Sequence, residues 1–353
     1  ILLKDELLEA GYSKSFVCFQ PIGVVLGIMP WNFPFWQVFR YAAPTLMAGN
    51  TTLLKHAPNV CGCAQALEKI FLDAGAPKGV FTSLIIDTPA VSKILSNDAV
   101  QAVTLTGSER AGSSVAALAG TNIKKSVMEL GGSDALIVLP DADMEMAASV
   151  ALNSRMQNAG QSCIAAKRFI ILKDAANDFM HHLLNHLQSI QQGDPFDKNI
   201  NMGPMARLDL ATGLDQQLKK SVKMGARLEY GGEMDGCNFK PALLCDVKKG
   251  MPAFDEETFG PVATVILAND EADAVQLAND SRYGLAASIW TKDIQKGIDL
   301  AKQLEAGAVF INTLVKSDPR LPFGGIKKSG YGRELDKHGI MEFVNIKTIA
   351  VSE

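Results

Sequence analysis

The sequence predicts an α/β fold with more than one parallel-sheet domain. Short apolar stretches alternate with helical stretches from about residue 15 to residue 140, and a second alternation follows. Strands joined by helices favour right-handed crossovers and parallel sheets. The chain has 353 residues, of which 47% are hydrophobic and 20% are charged, and this length suggests about two domains.

The first alternation gives strands with helices between them. An amphipathic helix is predicted at the start, where the chain begins at Ile1 and carries Leu2, Leu3, Leu7 and Leu8. The predicted strands are Val24–Ile28, Thr51–Lys55, Val80–Ile86, Val100–Thr106 and Ala135–Leu139, and the helices cover about 36–48, 60–74 and 108–119.

The second alternation starts with Asp141 and Asp143, which suit the N-terminus of a helix that runs toward Gln157. Both chain ends look extended, so Lys14–Gln20 and Lys347–Ser352 are either oligomerising strands or frayed tails. Further helices are predicted at about 174–191, 206–224, 269–280 and 292–305, with strands at Arg168–Leu172, Val262–Leu267, Ala286–Trp290 and Ala308–Ile311.

The composition argues against several classes of partner. A net charge of -4 without a long basic run argues against nucleic acid or a membrane surface. No apolar run is long enough to span a bilayer. Six sparse cysteines favour a reducing compartment, so we expect a cytoplasmic protein. The pairs Cys61/Cys63 and His182/His186 lack further ligands nearby, and we expect no metal site.

Three side chains in loop-like settings carry the expected chemistry. Cys163 follows Gly160 among small and polar residues, which suits an exposed nucleophile, although a buried structural cysteine is the common alternative. Glu129 at a strand end can act as a base, or it is simply a glutamate in a surface turn. Asn32 lies between two prolines, and its amide suits an oxyanion donor, with the Cys163 N–H as the second donor.

Other residues suggest a nucleotide site. Lys55 ends a predicted strand, where it is able to donate to ribose hydroxyls or remain solvated. Gly107 and Ser108 stand at a strand-to-helix turn, and helix N-termini bind phosphate, although this turn is a weak motif by itself. Glu257 and Phe259 place a carboxylate for a sugar and an aromatic ring in another turn.

Five motifs together resemble the aldehyde dehydrogenase superfamily in order and spacing over essentially the whole chain. The resemblance implies a Rossmann-type cofactor domain, an α/β catalytic domain and small oligomerisation strands. The motifs are Pro30-Trp31-Asn32-Phe33-Pro34, Met128-Glu129-Leu130-Gly131-Gly132, Gly160-Gln161-Ser162-Cys163, Glu257-Thr258-Phe259-Gly260-Pro261 and Pro322-Phe323-Gly324-Gly325.

The resemblance also implies domain bounds and roles. Residues 1–21 and 344–353 are expected to be oligomerisation or linker strands, 22–131 an N-terminally truncated NAD(P)-binding domain, and 132–343 the catalytic domain. We expect a homodimer or a homotetramer. The implied catalytic residues are Cys163, Glu129 and Asn32, and the implied cofactor contacts are Trp31, Lys55, Gly107, Ser108, Glu257 and Phe259.

Within the superfamily, the chain is most similar to the bacterial NAD(P)-dependent succinate-semialdehyde dehydrogenases. Arg40 and Ser317 are implied contacts of the substrate carboxylate, with a structural salt bridge as the alternative for Arg40. Gln157, a further implied substrate contact, stands where some relatives carry a carboxylate-binding arginine, and Arg155 or Arg320 is a candidate to compensate for that arginine. Pro58 replaces a glutamate of NAD-selective relatives, so NAD or NADP is expected.

The resemblance implies oxidation of an aldehyde, succinate semialdehyde first among them, to a carboxylic acid through a Cys163 thioester. A coenzyme A-acylating or broad-specificity aldehyde dehydrogenase is an alternative, and Glu129 argues against the acylating one. A truncated fold without catalytic activity is the other alternative. The stretches that favour the succinate-semialdehyde group are Leu53–Val60, Ala165–Arg168 and Lys327–Glu334.

Overall fold

The computed structural model describes residues 3–352. The strands are β1 (Glu6–Leu7), β2 (Lys14–Pro21), β3 (Val24–Met29), β4 (Thr51–His56), β5 (Phe81–Ser83), β6 (Val100–Thr106), β7 (Lys125–Glu129), β8 (Asp134–Val138), β9 (Ala166–Leu172), β10 (Arg227–Tyr230), β11 (Met234–Asp235), β12 (Asn238–Phe239), β13 (Ala242–Cys245), β14 (Val262–Ala268), β15 (Tyr283–Gly284), β16 (Ala286–Trp290), β17 (Ala308–Ile311), β18 (Ile326–Lys327), β19 (Gly330–Tyr331) and β20 (Val344–Val351).

The helices are α1 (Trp36–Met47), α2 (Cys61–Asp73), α3 (Ala90–Leu95), α4 (Glu109–Thr121), α5 (Met144–Met156), α6 (Ala176–Gln188), α7 (Leu208–Lys223), α8 (Pro252–Asp255), α9 (Glu271–Asn279), α10 (Ile294–Ala301) and α11 (Asp336–Glu342). Short 3₁₀ turns cover Pro58–Val60, Gln157–Gly160 and Lys173–Ala175. Within residues 3–352, every helix is too short or too polar to cross a lipid bilayer.

The described residues form two compact units. The first contains residues 3–130, 317–324 and 330–352, and the second contains 131–316 and 325–329. The predicted catalytic domain, 132–343, therefore differs from the second unit. The reason is that β19 pairs antiparallel with β7, which returns the late part of the chain to the first sheet.

The main sheet of the first unit has the order β19-β7-β6-β3-β4-β5, and all neighbours except β19 are parallel. The chain runs from β3 to β4 and β5 on one side, and from β6 to β7 on the other. Ligands of open α/β sheets bind at the carboxyl ends of the strands beside such a reversal. The residues that follow β3, β4 and β6 are therefore the expected nucleotide contacts.

The strands and helices predicted between residues 24 and 119 are confirmed, with small differences at their ends. The strand predicted at Val80–Ile86 is shorter, since β5 pairs with β4 only over Phe81–Ser83. The core between the sheet and its helices is apolar, with Leu26 of β3 and Val103 of β6 fully buried. The helix α3 was not predicted from the sequence.

A separate antiparallel sheet joins the two ends of the described chain, in the order β1-β2-β20. The strands β2 and β20 pair continuously from Lys14↔Val351 to Pro21↔Val344, so these ends are not frayed. The role of this sheet in joining subunits stays a prediction. The predicted N-terminal helix is wrong for residues 3–8, because β1 takes its backbone partners from β2. Ile1 and Leu2 lie outside the described residues.

The main sheet of the second unit has the order β10-β13-β14-β9-β8-β16-β17, and only β10 is antiparallel. The strands predicted at Ala286–Trp290 and Ala308–Ile311 are confirmed. Asp143 caps α5 by accepting from the Met146 N–H at 3.0 Å. The cap predicted for Asp141 is wrong, since its carboxylate accepts instead from Thr291 and the N–H groups that follow it.

Candidate active site

Asn32 lies on the segment that follows β3, at the reversal of the first sheet. Trp31 and Asn32 are both half-buried. A residue of β4 holds this segment in place. The Nε2 of the buried His56, at the end of β4, lies 2.9 Å from the Pro34 carbonyl oxygen. A ring N–H donated to this carbonyl limits the movement of the backbone around Asn32.

The predicted nucleotide contacts of the first unit follow strands of the same sheet. Lys55 is buried next to the end of β4, in register with Ile28 of β3. Ser108 is the N-cap of α4, and its hydroxyl accepts from the Ala111 N–H at 3.3 Å. The Gly107 N–H donates to the Glu129 carbonyl at 2.9 Å, which fixes this turn beside β7. The arrangement suits a phosphate at the helix N-terminus.

Glu129, the last residue of β7, is 2% exposed. Neither of its carboxylate oxygens has a hydrogen-bond partner among residues 3–352. Burial raises the pKa of Glu129 well above the ordinary value for glutamate, and the negative charge of Glu334 raises it further, while Arg40 and Arg333 oppose the shift. A buried carboxylate with a raised pKa suits a general base.

Arg40 does not present a free guanidinium to a substrate. It is 3% exposed and forms a buried ion pair with Glu334. Its Cζ lies 4.1 Å from the centre of the Phe323 ring, and its Nη2 lies 3.4 Å from the Thr106 hydroxyl. The structural salt bridge considered from the sequence is therefore present, and the contact of Arg40 with the substrate carboxylate stays a prediction.

Replacing Arg40 with Met should destabilise the protein by about 3–5 kcal/mol, because Glu334 would lose its buried partner. Urea unfolding measures this loss. The matched control is Arg320→Met, because Arg320 is exposed beside Asp318 and such a surface pair contributes little to stability. Unchanged stability with a raised KM for succinate semialdehyde, but not for an uncharged aldehyde, would restore the substrate role of Arg40.

Ser317 also lies in the first unit. Its hydroxyl accepts from the Trp36 indole N–H at 2.5 Å, which leaves the proton of the hydroxyl available to donate. Arg320, a candidate to bind the substrate carboxylate, is instead engaged with Asp318 at 2.8 and 2.6 Å. The contact of Ser317 with the substrate carboxylate stays a prediction.

Cys163 is half-buried on the turn between a 3₁₀ segment and β9 in the second unit. Asn158, Ala159 and Gly160 all have positive φ angles, of 54°, 51° and 73°. A side chain at Gly160 would be strained by its φ and would meet the backbone of Gly260. Left-handed backbone at two non-glycine residues persists only where the surroundings hold it, and such residues cluster at functional sites.

Buried side chains hold this turn in place through hydrogen bonds to its backbone and to the neighbouring segments. Arg155 is fully buried, and its Nη2 donates to the carbonyls of Gly160, Thr258 and Gly260 at 2.7, 3.1 and 2.5 Å. It thus holds three backbone carbonyls together, and a contact of Arg155 with the substrate stays a prediction. The Gln161 side chain accepts from the Ala206 N–H at 2.9 Å. Gln157 itself is exposed at the start of the turn.

Glu257 and Phe259 line a pocket of about 480 Å³ beside α7 in the second unit. The Glu257 carboxylate accepts from the Gly132 N–H at 3.0 Å. Burial raises the pKa of Glu257, and the charge of Lys167 opposes that shift. The Gln217 side chain donates to the Glu257 carbonyl at 3.3 Å and to the Glu256 carboxylate at 2.8 Å, so the turn is held from α7.

The predicted residues divide between the two units. The first holds Asn32, Trp31, Lys55, Gly107, Ser108, Glu129, Arg40 and Ser317, and the second holds Cys163, Gln157, Glu257 and Phe259. The sequence interpretation missed three buried partners: Glu334 for Arg40, Arg155 for the thiol turn, and Lys167. The one local signal was the Lys167-Arg168 pair at the start of an otherwise apolar strand.

Known proteins resemble this chain over almost its full length. A probable succinate-semialdehyde dehydrogenase (NADP+) of Synechocystis is 49% identical over 353 residues, which cover 99% of this chain and 78% of that protein. The Escherichia coli succinate semialdehyde dehydrogenase (NAD(P)+) Sad is 48% identical, with 99% and 76% covered.

A solved structure shares the fold. The Streptococcus pyogenes succinic semialdehyde dehydrogenase in complex with NADP+ as the cofactor superposes with a TM-score of 0.97 at 39% identity, covering 99% of this chain and 78% of that one. The sequence model of the aldehyde dehydrogenase family matches residues 3–349. This chain therefore belongs to the aldehyde dehydrogenase family.

Proposed function

We propose that this protein oxidises an aldehyde to a carboxylic acid with NAD(P)+ through a thioester on Cys163, and that succinate semialdehyde is its substrate. In the balanced reaction, the aldehyde, one water and the oxidised cofactor give the carboxylate, the reduced cofactor and two protons. The observation that carries the chemistry is Cys163, half-buried just after a left-handed segment that hydrogen bonds of Arg155 and Gln161 hold in place.

The residues act in two stages. The Cys163 thiolate attacks the carbonyl carbon, while the Asn32 amide and the Cys163 N–H donate to the developing oxyanion. Bound NAD(P)+ supplies the hydride acceptor for the oxidation. Glu129 then takes a proton from the water that attacks the thioester, and the acid is released from Cys163. A buried, unpartnered carboxylate is suited to that second stage.

The residues present fit a nicotinamide dinucleotide. Ser108 at the N-terminus of α4 suits the pyrophosphate, and Lys55 at the end of β4 suits the adenosine ribose. Glu257 and Phe259, which line one pocket, suit the nicotinamide ribose and ring. Pro58 begins the 3₁₀ turn after Lys55, so no carboxylate at this position repels a 2′-phosphate. The relatives named above use NADP+ or NAD(P)+.

The substrate assignment is supported by the two relatives that carry this name at 48–49% identity. Among the predicted carboxylate contacts, Ser317 is half-buried and Gln157 is exposed, and both stay proposals. Assembly into a homodimer or a homotetramer and a cytoplasmic location also stay predictions. Sedimentation of the purified protein measures the first of these.

A panel of aldehydes assayed with both cofactors tests the proposal. We expect the highest kcat/KM with succinate semialdehyde, at least about tenfold above an uncharged aldehyde of equal length, because one lost charged contact costs about 1.5–3 kcal/mol. Product analysis with and without coenzyme A is the control. An acyl-coenzyme A product would favour the acylating alternative, and no turnover of any aldehyde would contradict the proposal.

A further inference from the structure

Lys167 is a buried lysine that the chemistry described so far does not use. It lies on β9 in the second unit and is 1% exposed. Its ammonium donates to the carbonyls of Cys163 at 2.7 Å, Ser162 at 3.0 Å and Ala165 at 3.4 Å. An ammonium has three donors, and the three carbonyls within its reach all belong to the turn that carries the thiol.

The same ammonium faces the carboxylate of Glu257. The Lys167 Nζ lies 3.6 Å from the Glu257 carboxylate, which also accepts from the Gly132 N–H. Gly132 lies close to the thiol turn, since a Cβ at this position would be 2.8 Å from the Cys163 carbonyl oxygen. One cation thus bridges the backbone of Cys163 and the Glu257 side chain.

The charges around Lys167 come from several elements of the second unit. Glu257 and Asp134 face it as anions, and Arg155 as a cation. Burial lowers the pKa of Lys167, while Glu257 and Asp134 oppose this shift. Burial raises the pKa of Asp134 to about 7, with Lys167 and Arg168 opposing. A negative charge on Cys163 also raises the pKa of Lys167, so the two groups stabilise each other when both are charged.

We propose that Lys167 is a positioning residue that holds the Cys163 turn and Glu257 together and favours the thiolate form of Cys163. The inference rests on the proposed function, in which Cys163 is the nucleophile and Glu257 a ribose contact. A cation close to a cysteine lowers the pKa of its thiol. Because the ammonium also contacts Glu257, removing the ammonium should weaken cofactor binding as well as raise the pKa of the thiol.

The test is the pH dependence of Cys163 alkylation by iodoacetamide, followed on the Cys163 peptide by mass spectrometry, without aldehyde or cofactor. The midpoint of the wild-type protein should lie below about 8.5, the ordinary value for cysteine. Lys167→Met and Lys167→Gln should both raise the midpoint by about one pH unit, since both remove the charge. Lys173→Met is the matched control, because Lys173 is an exposed lysine just after β9 whose ammonium contacts Asn269.

The dissociation constant of NADP+ is the second readout, measured by titration calorimetry. Lys167→Met should weaken binding about tenfold, whereas Lys167→Gln, which keeps an N–H donor for the carbonyls, should weaken it less. A merely structural role would lower stability without moving the alkylation midpoint.

The proposal is overturned if folded Lys167 variants keep the wild-type midpoint and the wild-type affinity for NADP+. If neither variant folds, the wild-type protein decides: a midpoint below the ordinary value supports the proposal, and one at or above it overturns the proposal. Alkylation needs no turnover, so a protein that fails to oxidise aldehydes still reports on Lys167. Conversely, a result that contradicts the role of Lys167 would not contradict the proposed oxidation of aldehydes.

Discussion

Cys163→Ala should abolish the formation of NAD(P)H from aldehydes, with a loss of at least about 10³-fold in kcat. Alanine has no thiolate to attack the carbonyl, so neither the tetrahedral adduct nor the thioester is able to form. The change removes only a sulfur from a half-buried position, and it leaves in place the hydrogen bonds through which Arg155 and Gln161 hold the turn. The absorbance of the reduced nicotinamide measures the loss.

The matched control is Cys237→Ala. Cys237 is also half-buried and also lies in the second unit, but its backbone, not its thiol, accepts from the Met205 N–H. This variant should keep its activity, which would exclude a general effect of losing a cysteine. Substantial NAD(P)H formation by Cys163→Ala would assign the nucleophile elsewhere and contradict the thioester mechanism.

Glu129→Gln should release at most one equivalent of NAD(P)H per subunit and then stop. Glutamine does not accept a proton from water, so the thioester on Cys163 would accumulate, and mass spectrometry would detect the acylated protein. Steady-state turnover should fall by about 10²–10⁴-fold. Glu145→Gln is the control, since Glu145 is an exposed glutamate in the first turn of α5.

The same carboxylate sets the expected pH dependence of thioester hydrolysis. Glu129 acts as a base only when deprotonated, and burial together with Glu334 raises its pKa. Hydrolysis in the wild-type protein should therefore increase as the pH rises through this raised pKa, well above the range of an exposed glutamate. The Gln variant should lose that dependence. Wild-type turnover by Glu129→Gln would remove Glu129 from the mechanism.

Local sequence patterns were sufficient for most strands and helices. Val100–Thr106 is predicted residue for residue, because its buried apolar stretch ends at the Gly107 turn. The leucines at the start of the chain show where the pattern fails. Their spacing fits a helix, but β1 gains backbone partners from β2, and Leu7 remains exposed. Pairing between distant segments decided the structure there, and local spacing does not report it.

The site was predictable in its chemistry but not in its charge partners. The loop motifs identified Cys163, Glu129 and Asn32 as candidates, and their roles remain proposals. The partner of Arg40 could not be inferred, because Glu334 lies 294 residues further along the chain. Lys167 was visible as a charge within an apolar strand, yet only coordinates show its ammonium directed at three carbonyls.

The return of β19 and β20 to the first unit bears on how the protein is made. A ribosome delivers β2 and β7 well before their partners β20 and β19, which lie far along the chain. Domains of a nascent chain generally fold from the N-terminus, but here the first unit remains incomplete until its last strands appear. During that interval the exposed edges of β2 and β7 are open to incorrect pairing, so nascent chains are candidates for chaperone binding.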